Sequence, residues 1–111
     1  MARYHYVILS QAKAGMVEEY RRWYRDQHLA DVRRQPGVVS ARLFEPVVQK
    51  VYDLEAPTWS LMTMYELETD DPAGTMEAIR SLSGSAGMPA TDSIDKSGMV
   101  QVIATQIAAI D

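Results

Sequence analysis

The sequence predicts an α+β fold: a four-stranded antiparallel sheet with two helices on one face, in the order β-α-β-β-α-β. Three observations point there. Four stretches have strand length and β-branched or aromatic character, and two stretches repeat apolar residues at the helical period. The punctuation falls between them, at Pro36-Gly37 and Asp71-Pro72. A chain of 111 residues is expected to form one domain, 1–111. At that size folding buries roughly 65% of the unfolded surface, enough for a core without staples.

The elements follow in order. Residues 3–10 (RYHYVILS) read as a strand with His5, Val7 and Leu9 on one face and Tyr4, Tyr6, Ile8 and Ser10 on the other. Both rows are largely apolar, so this strand is expected to be central and covered on two sides. Residues 16–37 (MVEEYRRWYRDQHLADVRRQPG) read as one long amphipathic helix. At 3.6 residues per turn Met16, Tyr20, Trp23, Gln27 and Ala30 share a face, with Val17, Tyr24, His28, Asp31 and Gln35 in the row beside it. Glu18, Arg21, Arg22, Arg25 and Arg33 face outward. Pro36-Gly37 ends the helix, because the residue before proline leaves the α region and glycine takes conformations others avoid.

Residues 38–47 (VVSARLFEPV) are the second strand, alternating Val39, Ala41 and Leu43 with Ser40, Arg42 and Phe44. Pro46 cannot donate to a ladder, so the strand ends there or lies at an edge. Residues 49–58 form a polar connection with a short extension near Val51-Tyr52. Residues 59–67 (WSLMTMYEL) are the third strand. Asp71 as N-cap and Pro72 at the first helical position open a second helix to about Ser83, burying Met76, Ile79 and Leu82. Residues 84–98 (GSAGMPATDSIDKSG) read as a long loop, a length that suits a mobile lid. Residues 99–107 (MVQVIATQI) are the last strand. One face of such a sheet lacks helices, and a second copy about a two-fold axis is the expected cover.

Fifteen acidic against eleven basic residues give a net charge of −4, poorly suited to a nucleic-acid backbone. There is no cysteine, so disulfides and thiolate metal sites are excluded. The start of the chain lacks a signal-peptide layout, and no apolar run approaches a membrane span. A cytoplasmic protein without membrane or nucleic-acid partners is expected. Two histidines on different elements, without HxxxH spacing, argue against a metal site.

His28 is the first candidate for chemistry, since imidazole can take and return a proton near neutral pH. Asp31, three residues on, can reach a ring nitrogen, and Tyr24, one turn earlier, can donate to a carbonyl or phenolate. Trp23 suits the core or a cavity wall, as does His5 on its strand. Arg42 and Glu66 are charged residues within strands, fit either to pair with each other or to hold an anionic group. Met88 reads as adaptable lining for the lid.

The spacing W-Y-x-x-x-H-x-x-D (Trp23, Tyr24, His28, Asp31), followed by Pro36, Gly37 and Val38, resembles the EthD-like branch of the dimeric α/β-barrel superfamily, a ferredoxin-like fold. The Tyr65-Glu66 strand end and MPATDSIDKS are similar to that group as well. The resemblance implies a homodimer whose sheets face each other to enclose cavities, working without metal or organic cofactor. With it, the sequence points to a cofactor-independent enzyme acting on a small apolar, aromatic, lactone-like or polyketide-like molecule. His28, Asp31 and Tyr24 would be catalytic; His5, Trp23, Arg42, Tyr65 and Met88 would bind substrate. Lyase, isomerase or cyclase chemistry by proton transfer is the leading expectation. The alternatives are a cofactor-free oxygenase of phenolic substrates and a non-catalytic small-molecule-binding dimer.

Overall fold

The structure, a computed structural model, describes residues 2–54 and 59–111. Its elements are β1 (Ala2–Ala12), α1 (Val17–Trp23), a single π-helical turn (Tyr24–His28), α2 (Leu29–Arg33), β2 (Val38–Phe44), β3 (Leu61–Thr69), α3 (Pro72–Ser81) and β4 (Ile94–Ala104). The strands form one sheet in the order β2-β3-β1-β4, antiparallel at every pairing. This is the ferredoxin-like α+β fold, with the helices packed on one face.

The register shows which rows face which way. Tyr6 pairs with Tyr65, Ile8 with Thr63 and Ser10 with Leu61. Tyr6, Ser10, Leu61, Thr63, Tyr65 and Leu67 are all buried, so this row of β1 and β3 lies beneath the helices. The alternate row is His5, Val7 and Leu9, opposed by Glu66, Met64 and Met62. β4 adds Ala104, Val102 and Val100 to that face, and β2 adds Ser40, Arg42 and Phe44. Three of its apolar side chains, Phe44, Val100 and Val102, are 38–48% exposed in the single chain.

Three expectations about elements are corrected. The first helix is not α-helical throughout: the Leu29 N–H reaches back five residues to the Tyr24 carbonyl. The extra residue in that turn shifts the helical phase, so Gln27 and Ala30 are exposed where the 3.6-residue count put them on the packed face. Asp31 and Val32 take their place, each 1% exposed. The last strand starts at Ile94, five residues before the expected 99, and ends at Ala104. Ile94 and Asp95 pair with Ala12 and Gln11 across a bulge in the β1–β4 ladder. This stretch is polar because it lies at a sheet edge, where half its surface meets water. Val51 and Tyr52 form no strand, and the connection expected over 49–58 lies partly outside the described residues.

The predicted stops are in place. Asp71 Oδ1 accepts from the Gly74 N–H at 2.9 Å, capping α3 behind Pro72. Gly37 holds φ +88°, and a Cβ there would meet Thr75 Cγ2 at 3.2 Å while its carbonyl accepts from Glu68 N–H at 2.8 Å. The two helical runs thus pack side by side over the sheet. No helix among the described residues is long and apolar enough to cross a membrane.

Candidate functional site

The π-turn sets the site. By adding a residue to the turn, it keeps Tyr24 inward and holds His28 half-buried beside it. The His28 ring stacks on Trp23 with centroids 4.4 Å apart and meets Tyr24 edge-on at 4.9 Å. Trp23 also stacks on Tyr20 at 6.0 Å, and its indole N–H donates to the Pro89 carbonyl at 3.3 Å. An aromatic wall of Tyr20, Trp23, Tyr24 and His28 therefore runs along one side of the helix, pinned to the segment before β4.

Beneath it is a layer of hydroxyls. Tyr24 and Tyr65 share a hydrogen bond at 3.2 Å, and Tyr20 donates to Ser10 at 2.7 Å. Tyr6 packs on Tyr65 at 5.8 Å and hydrogen-bonds Gln101. Burial raises the pKa of all four tyrosines, that of Tyr6 to about 12 and that of Tyr65 well above its usual value. They remain neutral hydroxyls at any working pH. The Thr63 hydroxyl, 0% exposed, lies close enough to oppose the rise at Tyr24 yet makes no aligned hydrogen bond.

His28 differs in kind. Its Nδ1 is buried and has no hydrogen-bond partner among the described residues. Burial lowers its pKa to about 4, with the Asp31 charge acting weakly the other way. At neutral pH it is an uncharged imidazole. The expected hydrogen bond from Asp31 is not formed. That carboxylate accepts from Gln27 Nε2 at 2.7 Å and pairs with the Arg34 guanidinium instead. Asp31 thus stabilises the helix end and acts on His28 only through space.

The structure brings Trp23, Tyr24, His28 and Tyr65 together. It places His5 and Arg42 on the opposite face of the sheet, away from His28. Arg42 is exposed and donates to Ser40; Glu66 pairs with Arg3, so the anticipated Arg42–Glu66 pair is absent. Met88 is 1% exposed and belongs to the core cluster with Tyr6, Tyr65 and Val32, where a lid residue had been expected. The segment around it is tied down, with Gly84 N–H to Met88 O at 2.9 Å and Lys13 N–H to Ser93 O at 2.8 Å. Sequence reasoning missed Thr63, Ser10 and the Pro89 carbonyl. Thr63 could have been found as the one polar residue between Leu61 and Tyr65 on their strand face. Among the described residues no three His, Asp or Glu side chains gather as a metal site.

No family model matches the sequence, and no curated protein does. Solved structures do. One is described as a "putative monooxygenase" from Shewanella loihica PV-4: TM-score 0.58, 15% identical, covering 98% of this chain and 97% of that one. Another is a "putative antibiotic biosynthesis monooxygenase" from Nitrosomonas europaea: TM-score 0.62, 13% identical, covering 95% and 90%. Neither is described as EthD-like, so the likeness stands at the level of the ferredoxin-like fold that these monooxygenase-type proteins share.

Proposed function

We propose that this chain is a cofactor-free oxygenase of electron-rich phenolic aromatics, working as a homodimer. This replaces the lyase, isomerase or cyclase chemistry expected from the sequence, which the naming of both solved neighbours as monooxygenases contradicts. The observation that carries the reading is the His28 ring: neutral, stacked in an aromatic wall, with a buried Nδ1 that no group among the described residues satisfies. A buried polar atom without a partner is costly, and a ligand hydroxyl is the natural one to fill it.

A phenol stacked along Trp23 would give its proton to His28. Burial makes imidazole a weaker base, but the same low dielectric strengthens the ion pair formed with the phenolate. The electron for dioxygen comes from the substrate, so the usual need for a redox cofactor is met by the phenolate itself. One electron passes to O₂, the radical pair closes a C–O bond, and the imidazolium returns its proton to the peroxide. Loss of water leaves a quinone, so phenol plus O₂ becomes quinone plus H₂O. Tyr24, Tyr65 and Thr63 offer hydroxyls to a substrate carbonyl or phenolic oxygen. The dimer half of the proposal rests on the face of Val7, Leu9, Phe44, Met62, Met64, Val100 and Val102, whose apolar row suits a second copy.

Oxygen uptake with 1-naphthol and naphthalenediols as probes tests the reading. Wild-type protein should consume one O₂ per quinone formed in chelator-treated buffer. His28→Ala should slow this by about 10²-fold in protein that is still folded at the assay temperature, the usual scale for losing an acid–base group. His5→Ala, on the other face, should leave the rate within about twofold. Quinone formation at the uncatalysed rate with all three proteins would end the oxygenase reading.

A further inference from the structure

Two apolar segments of this chain stand in water at diagonally opposite corners of the sheet. Residues 105–111 (TQIAAID) follow β4 without regular structure, with Ile107 93% and Ile110 99% exposed. They depart at the β4 edge, at the end where Ala104 lies beside His5. The second segment follows β2 at the other edge and the other end, where Phe44 lies beside Met62 and Leu9. There Val47 and Val48 are 89% and 88% exposed. A depression of about 430 Å³ lies on the helix-free side, walled by Leu9, Phe44, Pro46, Val48, Trp59 and Met62, with Lys50 on its rim. The walls are held: Gln49 exchanges two hydrogen bonds with the Trp59 backbone, at 2.8 and 3.2 Å, and the Trp59 indole donates to Gly98 O at 3.2 Å.

Symmetry says what fits. When two copies pair through their helix-free faces, a two-fold axis along a strand or across the strands carries the tail to a corner without the depression. An axis in the sheet plane, perpendicular to the line joining the two corners, carries it to the corner that has one, in both directions at once, with the strands of the two sheets crossing. Seven extended residues reach up to about 23 Å, enough to cross from one sheet edge to the facing copy. The tail's one charged side chain is Asp111; the lining of the depression carries Lys50, of opposite charge, and Glu45, whose carboxylate is taken by Arg21 at 2.9 Å.

We propose that residues 105–111 of each protomer seat Ile107 and Ile110 in the Phe44–Val48–Trp59 depression of a second copy, clasping the dimer reciprocally. The clasp rests on the dimer reading above and goes beyond it by fixing the relative orientation of the sheets. Because the chain has no cysteine, single-cysteine variants give a clean test. Val48→Cys chains mixed with Ile107→Cys chains and mildly oxidised should yield the mixed 48–107 disulfide, identified as a linked peptide by mass. Neither variant alone should cross-link. Ile107→Ser combined with Ile110→Ser should weaken the dimer at least about tenfold in sedimentation, because apolar burial is lost at both corners. A wild-type protein that sediments as a monomer throughout would remove the dimer and the clasp together. A stable dimer that gives no mixed disulfide, or that cross-links 107 to 107, and whose double-serine variant associates as tightly as wild type, would overturn the clasp alone.

Discussion

The two faces of the sheet are built from nearly the same apolar alphabet and differ in what covers them. Beneath the helices lie Tyr6, Ser10, Leu61, Thr63, Tyr65 and Leu67, none more than 2% exposed. Hydroxyl-bearing residues are interspersed there with aliphatic ones, and the Ser10 and Tyr65 hydroxyls find partners at 2.7 and 3.2 Å. The open face carries an apolar middle of Val7, Leu9, Met62, Met64, Val100 and Val102, with Ser40 and Arg42 at its β2 edge and Arg3, Glu66 and Glu68 at one end. A layer that must position polar atoms uses tyrosine and threonine; a layer that suits only a second apolar surface uses valine and methionine. Each face holds one histidine, and only the one on the hydroxyl-rich side is buried against an aromatic wall.

The largest effect expected from this contrast is on folding. Leu67→Ala, at a position 0% exposed, should cost about 2–5 kcal/mol in urea unfolding, as buried leucines do. Val102→Lys, on the open face, should leave the fold's own stability within about 1 kcal/mol while abolishing the concentration dependence of the melting temperature. Equal losses in both variants would mean that the open face belongs to the core of the single chain.

The next effect is acid sensitivity. His28 has a folded pKa of about 4 against an unfolded value of 6.5. Below pH 6.5 the unfolded chain binds a proton there that the folded chain refuses, so stability falls as pH drops from 6.5 towards 4 and then levels. At neutral pH the group contributes no slope. Replacing His28 with Phe should remove on the order of 2 kcal/mol of that acid loss, read as the difference between wild-type and variant unfolding at pH 7 and pH 4.5. Identical pH profiles would mean that the ring is well solvated.

The smallest effect sharpens the hydroxyl layer. Tyr24→Phe removes the 3.2 Å bond to Tyr65 and should destabilise by about 1 kcal/mol, since one buried hydroxyl loses its partner while the ring packing survives. A loss of several kcal/mol would show that the tyrosine hydroxyls act as one network.

Much of the fold was legible because its signals are local. Asp71-Pro72 caps a helix wherever it occurs, and Pro36-Gly37 ends one through backbone sterics alone. The unusual two-sided apolarity of β1 was readable too, though periodicity could not say which row the helices would cover. The start of β4 was not legible, because Asp95, Lys96 and Ser97 lie at an edge where pairing, rather than side-chain burial, makes the strand. At the site, Trp23, Tyr24 and His28 were found as neighbours by helical spacing. His5 and Arg42 lie apart from them, on the other row, and periodicity left that open because a strand's alternate rows are distinguished only by what packs on them. The role given to Asp31 failed for a subtler reason: spacing brought it near His28, but Gln27 and Arg34 on the same helical run hold it more directly.

The π-turn from Tyr24 to His28 makes the site depend on residue count as well as residue identity. Exposed Arg25 and Asp26 bond mainly to each other, at 3.0 Å, so substitution at either position disturbs little. Deleting one of them would close the turn as ordinary α-helix and leave Asp31 and Val32 on the packed side, because the lost residue is the one the wider turn absorbs. A second deletion has nothing to absorb it: everything after it would rotate by about 100° and retreat by about 1.5 Å. Val32 would then swing out of the core and His28 would leave the face of Trp23, with no functional side chain changed. This short segment therefore tolerates the loss of one residue and not of two.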